Sequence, residues 1–201
     1  ALEKLNPDNP LEMVFDYVRI RFPTQDVKHV VEDILKLRLD VMIHEDFGFY
    51  SYAKHYVLGD VFVLTSPDKE KGTLLELKGK GCRQMESYLL AQHRSWYDFL
   101  MDALIEGGVM KRLDLAINDM AGILDIPELT EKCNHEECIS VFRSFKSYRS
   151  GELVRSNEQD KYGMGNTLYI GSLKSEVYFC IYEKDYEQYA KYDIATVSYT
   201  H

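Results

Sequence analysis

Short runs of alternating apolar and polar residues recur along the whole chain: MVFDYVRIRF, VFVLTS, TLLELK, KRLDLAIND, SVFRSFKSY, TLYIGS and VYFCIY. A period of two marks strands with one buried face, and none of these runs is long enough to cross a bilayer as a helix. Two stretches break the period. VKHVVEDILKL and the segment 83–105 repeat apolar residues at helical spacing. A chain patterned this way is expected to fold as an α+β protein, an antiparallel-rich sheet with helices packed on one face.

The 201 residues, 45% of them hydrophobic, suffice for one large domain or two small ones with a proper core. No charged-then-apolar signal segment opens the sequence, so a cytoplasmic protein is expected. Cys82, Cys133, Cys138 and Cys180 contain no CxxC pair, and reduced thiols are the default. A zinc reading of Cys133, His135 and Cys138 lacks a fourth ligand and stands beside the plainer reading as helix residues. The formal charge of −9 argues against a general nucleic-acid binder, though not against a local basic face.

In chain order, residues 1–12 form a Pro/Asn-rich lead-in and 13–22 a strand stopped by Pro23. Thr24 is the expected cap of a helix whose apolar face is Val27, Val30, Val31, Ile34, Leu35 and Leu37. A hairpin is expected around Leu58-Gly59-Asp60, then a charged turn at 66–72 and a third strand at 73–78. Gly79 and Gly81 permit a tight turn before one long helix over 83–105, in which His93 and Trp96 read as surface or packing residues. Beyond the Gly107-Gly108 stop come a strand over 110–119, a short helix over 129–138 capped by Thr130, a strand over 139–148, and a hairpin loop over 149–165. Strands at 167–171 and 177–182 follow, and QYAKYDIATVSYTH receives no assignment. The expected organisation is a lead-in at 1–12, one domain at 13–193 and a tail at 194–201.

Three residues in strand-like runs carry the candidate chemistry. Glu76 lies between Leu75 and Leu77, and a carboxylate in mid-strand needs a partner, a metal or water. Asp114 is likewise in mid-strand, where aspartate is disfavoured, on a face with Arg112, Ala116 and Asn118. Tyr182 ends a strand beside Glu183, Lys184 and Asp185; it is a nucleophile if its surroundings favour the phenolate, and otherwise an ordinary strand tyrosine. Two carboxylates suit a hard ion such as Mg²⁺ or Mn²⁺ bound to phosphate oxygens, and a tyrosine beside it suits attack on phosphorus with a 3′ oxygen leaving. The competing reading pairs the acids with Arg112 or Lys78. Arg143, Lys146, Arg149, Arg155 and Lys161, interleaved with Phe145, Tyr148 and Tyr162, make either a contact surface for phosphates and stacked bases or a solvated hairpin.

TLLELKGKGCRQME, KRLDLAIND and TLYIGSLKSEVYFCIYEKDYEQ resemble, in order, the motifs of the Rep_trans family of rolling-circle initiators and relaxases of Gram-positive mobile elements, conjugative transposons above all. The resemblance implies a core related to other rolling-circle (HUH-like) nucleases, with Tyr182 as the residue that nicks DNA and joins the 5′ phosphate. It implies Glu76 and Asp114 as ligands of a divalent metal. Lys184, beside Tyr182, is either a group that stabilises phenolate or phosphate or an ordinary exposed lysine at a strand end. Implied partners are single-stranded or locally melted origin DNA, a helicase or the conjugation machinery, and no membrane. Asn118, followed by Asp119, stands where family members often carry aspartate. Family members also continue past the YEK motif into a further acidic strand and a helical region, so a C-terminally short chain is expected. The alternatives are a non-catalytic DNA-binding or interaction module, or a structural domain with no DNA role.

Overall fold

The computed structural model describes residues 11–151, 163–183 and 199–200. In chain order these form β1 (Leu11–Phe22), a π-helix (His29–Ile34), a 3-10 turn (Leu39–Val41), β2 (Ile43–Glu45), β3 (Lys54–Leu58), β4 (Val61–Thr65) and β5 (Thr73–Lys78). Then come α1 (Gly79–Ala91), α2 (Trp96–Ile105), β6 (Val109–Asp119), α3 (Ile126–Asn134), β7 (Phe145–Gly151), β8 (Gly163–Gly171), β9 (Tyr178–Glu183) and β10 (Tyr199–Thr200). The chain divides into two compact units, Phe15–Leu115 and Ala1–Val14 with Ala116–His201, so β1 and β6 each supply residues to both.

In the unit Phe15–Leu115 the strand order is β2-β3-β4-β5-β1-β6, and the pairings through β1 are antiparallel. Alternation along β1, β4 and β5 turns Val18, Ile20, Phe22, Val61, Val63, Leu75 and Leu77 to one face, where they meet Val30, Val31, Ile34, Leu35, Met85, Leu89 and Phe99 from the helices. Removing this apolar surface from water is the main stabilising term of the unit. The predicted helical face at 27–37 is the buried one, with Val27 and Leu37 packed at its margin. Its geometry differs from expectation. The turn is a π-helix, closed by Leu35 N donating to Val30 O at 3.0 Å, and Asp26 rather than Thr24 accepts from His29 N at 3.0 Å. Thr24 instead accepts from the Asp26 amide.

The single helix expected over 83–105 is two helices. Ser95 caps α2 in a box with Asp98, a pattern readable as S-x-x-D, and His93 takes φ 56° in the link. The break has a use: Gln92 donates to Leu35 O and Lys36 O and Arg94 to Ile34 O, satisfying carbonyls at the π-helix C-terminus. Gly79 and Gly81 open α1 rather than forming a separate turn. A Cβ on Gly81 would lie 2.4 Å from Asp60 O, so the β3–β4 turn and α1 approach more closely than any side chain permits.

In the second unit the order is β6-β10-β9-β8-β7, with α3 laying Ile126, Leu129 and Cys133 against Leu168 and Ile181. The helix begins earlier than expected. Asp125, not Thr130, is its cap and accepts from Glu128 N at 2.8 Å, with a proline in the first turn. The strand expected over 139–148 starts only at Phe145 and runs into what was expected to be loop. Among the described residues no helix is long and apolar enough to cross a membrane.

Gly81→Ala tests the close approach. Helix propensity alone predicts a gain of about 1 kcal/mol, whereas the contact with Asp60 O predicts a net loss and a lower melting temperature by circular dichroism.

Candidate active site

Glu76 is 2% exposed, on the sheet face opposite the helices. In the β1/β5 register Arg19 stands opposite Glu76 and Tyr17 opposite Lys78, so all four side chains share that face. Glu76 Oε1 accepts from Arg19 at 2.6 Å and from the Tyr17 hydroxyl, Arg19 also donates to Tyr17 at 2.6 Å, and Lys78 Nζ lies 3.7 Å from Oε2. Burial alone would raise the carboxyl pKa, yet the hydrogen bonds from Tyr17, Arg19 and Tyr50 hold it below the usual carboxylate range. Burial and the neighbouring carboxylate push Tyr17 the other way, well above an ordinary phenol.

The network extends in two directions. The Arg19 guanidinium sits 4.1 Å from the centre of the Tyr50 ring, and Tyr50 takes φ 53° to present it. On the other side Arg112 lies 4.1 Å from the Tyr17 ring centre and grips Asp114 through Nε at 2.9 Å and a terminal nitrogen at 2.5 Å. Glu76 and Asp114 therefore carry the cationic partners that an unmetallated reading of each acid predicts. The two engagements differ in depth. The Glu76 side chain is 3% exposed, while Asp114 and Arg112 are 37% and 52% exposed. Among the described residues no three acids, histidines or cysteines are grouped as metal ligands. The donor chemistry of Glu76 and Asp114, hard carboxylate oxygen, suits Mg²⁺ or Mn²⁺. Asp114 keeps an exposed arginine as partner, a pair worth at most about 1 kcal/mol and so readily exchanged.

Tyr17, Arg19 and Tyr50 were not singled out from sequence. The signal was present in YVRIR: with Val18 and Ile20 facing the core, Tyr17, Arg19 and Arg21 form the polar stripe available to a mid-strand acid.

Tyr182 lies in the other unit, on β9. It pairs with Thr167 of β8 and Thr200 of β10, and Thr200 pairs in turn with Asn118 of β6. Opposed residues in an antiparallel ladder share a face, so Asn118 and Tyr182 share one, and α3 packs on the reverse through Ile181 and Leu168. Asn118 Nδ2 donates to Glu12 at 3.0 Å. Asp119 points to the reverse face, fully buried, and accepts from the amides of Ala121 and Leu124 at 3.1 and 2.8 Å. It shapes the turn that follows β6. Glu183 is likewise committed, accepting from the backbone and side chain of Asn166 at 2.6 and 2.8 Å.

The basic set divides. Lys146, opposite Tyr169, shares the face of Tyr182; Arg149, opposite Asn166, is on the reverse; Arg143 precedes β7. Arg155, Lys161 and Lys184 lie outside the described residues. Cys133 and Cys138 approach to 3.3 Å between sulfurs, but His135 Nδ1 lies 2.9 Å from Glu131 O at the end of α3, away from a zinc arrangement. Trp96 is a packing residue, stacked on Phe15 at 4.5 Å.

Family models match nearly the whole chain: the rolling circle replication initiation protein N-terminal domain over 12–102, and the replication initiation factor over 108–199. The chain belongs to the Rep_trans family of rolling-circle initiators and relaxases. A Bacillus subtilis (strain 168) protein provisionally named DNA relaxase NicK is 44% identical over 188 residues, 93% of this chain and 52% of that protein. The chain thus spans about half the length of that curated relative. The solved structure of a rolling circle replication initiator protein from Geobacillus stearothermophilus superposes with a TM-score of 0.73 at 25% identity, covering 94% of this chain and 72% of that one. The α+β class with an antiparallel sheet is the class of that initiator fold.

Glu76→Gln keeps the shape of the acid and removes its charge, so it costs about 1–3 kcal/mol of stability in urea unfolding at neutral pH. A carboxyl whose folded pKa is depressed contributes above its unfolded pKa and loses that contribution as pH falls through the folded value. The gap between wild type and Glu76→Gln therefore starts to narrow below about pH 4, near the unfolded carboxyl value, and closes as pH falls through the lower folded one.

Proposed function

We propose that this chain is the strand-nicking module of a relaxase or rolling-circle initiator, acting on single-stranded or locally melted origin DNA. The observation that carries the reading is the position of Tyr182, a motif tyrosine in register with Asn118 on the sheet face opposite α3. A nucleophile that must reach a DNA backbone needs such a face.

In the proposed reaction Tyr182 Oη, having given up its proton, attacks the scissile phosphorus. One P–O bond forms to the phenol and one breaks to the 3′ oxygen, which takes up a proton. The products are a free 3′-hydroxyl and a 5′-phosphotyrosine. One phosphodiester replaces another, so the bond energy is retained and the strand can be rejoined by the reverse step. Lys184, two residues on, is assigned to the phenolate or the phosphate by charge. Glu76 and Asp114 are the assigned carboxylate ligands of a divalent ion, which when bound neutralises charge on the scissile phosphate. Arg112, paired with Asp114, would have to leave it for that acid to hold an ion, and Tyr17 and Arg19 keep the Glu76 carboxylate ionised and oriented. Arg143, Lys146, Arg149, Arg155 and Lys161 are assigned to DNA phosphates.

The engagement of Glu76 by Arg19 and Tyr17 also favours a second reading, a DNA-binding module derived from such an initiator that does not cut. One experiment separates the two. With Mn²⁺ and a single-stranded origin oligonucleotide, the nicking reading expects a covalent adduct that survives denaturation, disappears in Tyr182→Phe, and forms about 10²-fold more slowly in Asp114→Asn. Oligonucleotide binding with no adduct establishes the second reading; no binding at all excludes both.

A further inference from the structure

Around Tyr182 the sheet face is built in rows. Tyr148, Thr167 and Tyr182 are opposed across β7, β8 and β9, and Lys146, Tyr169 and Cys180 form the next row. Tyr178 is two residues further along β9, on the same face. The rings pack on one another: Tyr169 and Tyr178 stack with centres 5.7 Å apart and planes at 17°, and Tyr148 meets Tyr169 edge-on at 5.7 Å and 80°. Tyr148 is 56% exposed and Lys146 is also exposed. The reverse face of the same strands carries Leu168 and Ile181 against α3. Three tyrosines beside Tyr182, with one lysine, a threonine and a cysteine, therefore occupy the face where an ordinary packing layer would place aliphatic residues.

We propose that Tyr148, Tyr169 and Tyr178 form a platform on which unpaired bases of the DNA strand stack beside Tyr182, with Lys146 holding a backbone phosphate. The occupant is single-stranded DNA because its two chemistries match the two on the face: π-faces for the tyrosines and negative charge for the lysine. Tyr148 and Tyr182 flank the smaller Thr167 at about two strand spacings, roughly 10 Å. That span places a stacked base within a nucleotide or two of the phosphate presented to Tyr182. Duplex DNA, whose bases are already stacked, cannot use the platform. The inference deepens the nicking reading and rests on it for the choice of DNA as ligand.

The test measures binding of a mixed-sequence single-stranded oligodeoxynucleotide, and of an abasic strand with the same phosphates, by fluorescence anisotropy. Wild type is expected to prefer the strand with bases. Tyr169→Leu and Tyr178→Leu should each weaken that binding about 5- to 100-fold and leave binding to the abasic strand unchanged. Tyr169→Phe and Tyr178→Phe keep the ring and should stay within a few-fold of wild type. Leucine variants that bind the oligonucleotide as wild type does, or a wild type indifferent to the presence of bases, would overturn the platform. If the leucine variants fail to fold, the abasic comparison and the phenylalanine variants still decide it. Tyr182→Phe separates the two ideas: lost adduct formation with tyrosine-independent binding keeps the nicking reading and removes the platform. Base-dependent binding that needs Tyr169, without any adduct in wild type, does the reverse.

Discussion

Burying a carboxylate between apolar strand residues is costly unless every lone pair turned from water meets a donor. Glu76 is the residue in which the unit Phe15–Leu115 meets that condition. Because Arg19 stands opposite it in the β1/β5 ladder, alternation places the guanidinium on the correct face; a slip of one residue would turn Arg19 into the core and Ile20 onto the acid. The same stripe that neutralises Glu76 thus helps to specify the register in which Val18, Ile20 and Phe22 meet the helices. Tyr17 and Tyr50 complete the donors, and through Tyr17 the network reaches Arg112 and Asp114.

The second unit solves a different problem. One face of its sheet is covered by α3, with a small apolar cluster of Ile126, Cys133, Leu168 and Ile181. The other face is tyrosine-rich. β-propensity is compatible with both faces, since aromatic residues favour strands whichever side they occupy. Only the chemistry of the occupants distinguishes a face closed by a helix from one suited to a polyanionic strand with aromatic bases. A net charge of −9 is no obstacle, because contacts of this kind depend on local cations such as Lys146 and on stacking rather than on the total.

Alternation made most of the strands legible, and with them the class of the fold and the mid-strand positions of Glu76 and Asp114; on β6 it sorted the residues into two faces but not their burial, since Leu113, Leu115 and Ile117 are exposed and Ala116 on the other face is buried. The buried face at 27–37 was equally plain. The misses have a common cause, in which local side-chain hydrogen bonding outweighs apolar periodicity. Apolar spacing runs through 83–105 unbroken, but the Ser95–Asp98 box and the donors Gln92 and Arg94 stabilise a break there. Asp125 outcompetes Thr130 as a cap because its carboxylate accepts from Glu128 N one turn earlier, at a proline-favoured first turn. The partners of Glu76 were harder to find, since 57 and 59 residues separate it from Arg19 and Tyr17, and only the strand register brings them together. At Asn118 and Asp119, adjacency in sequence conceals opposite faces, one toward Glu12 and the other folded into its own turn.

Glu76 and Asp114, the two acids of the proposed ion site, are held in unequal ways. An exposed arginine-carboxylate pair such as Arg112–Asp114 contributes little and is screened by salt, so Asp114 gives up that partner at small cost. Glu76 is nearly excluded from solvent, its charge set by Tyr17, Arg19 and Tyr50 before any ion arrives. A carboxylate already ionised and already oriented loses little freedom on binding a cation, the general advantage of preorganised sites. In the proposed site Asp114 would be the ligand that must give up a partner before an ion could enter, and Glu76 the ligand already held in place.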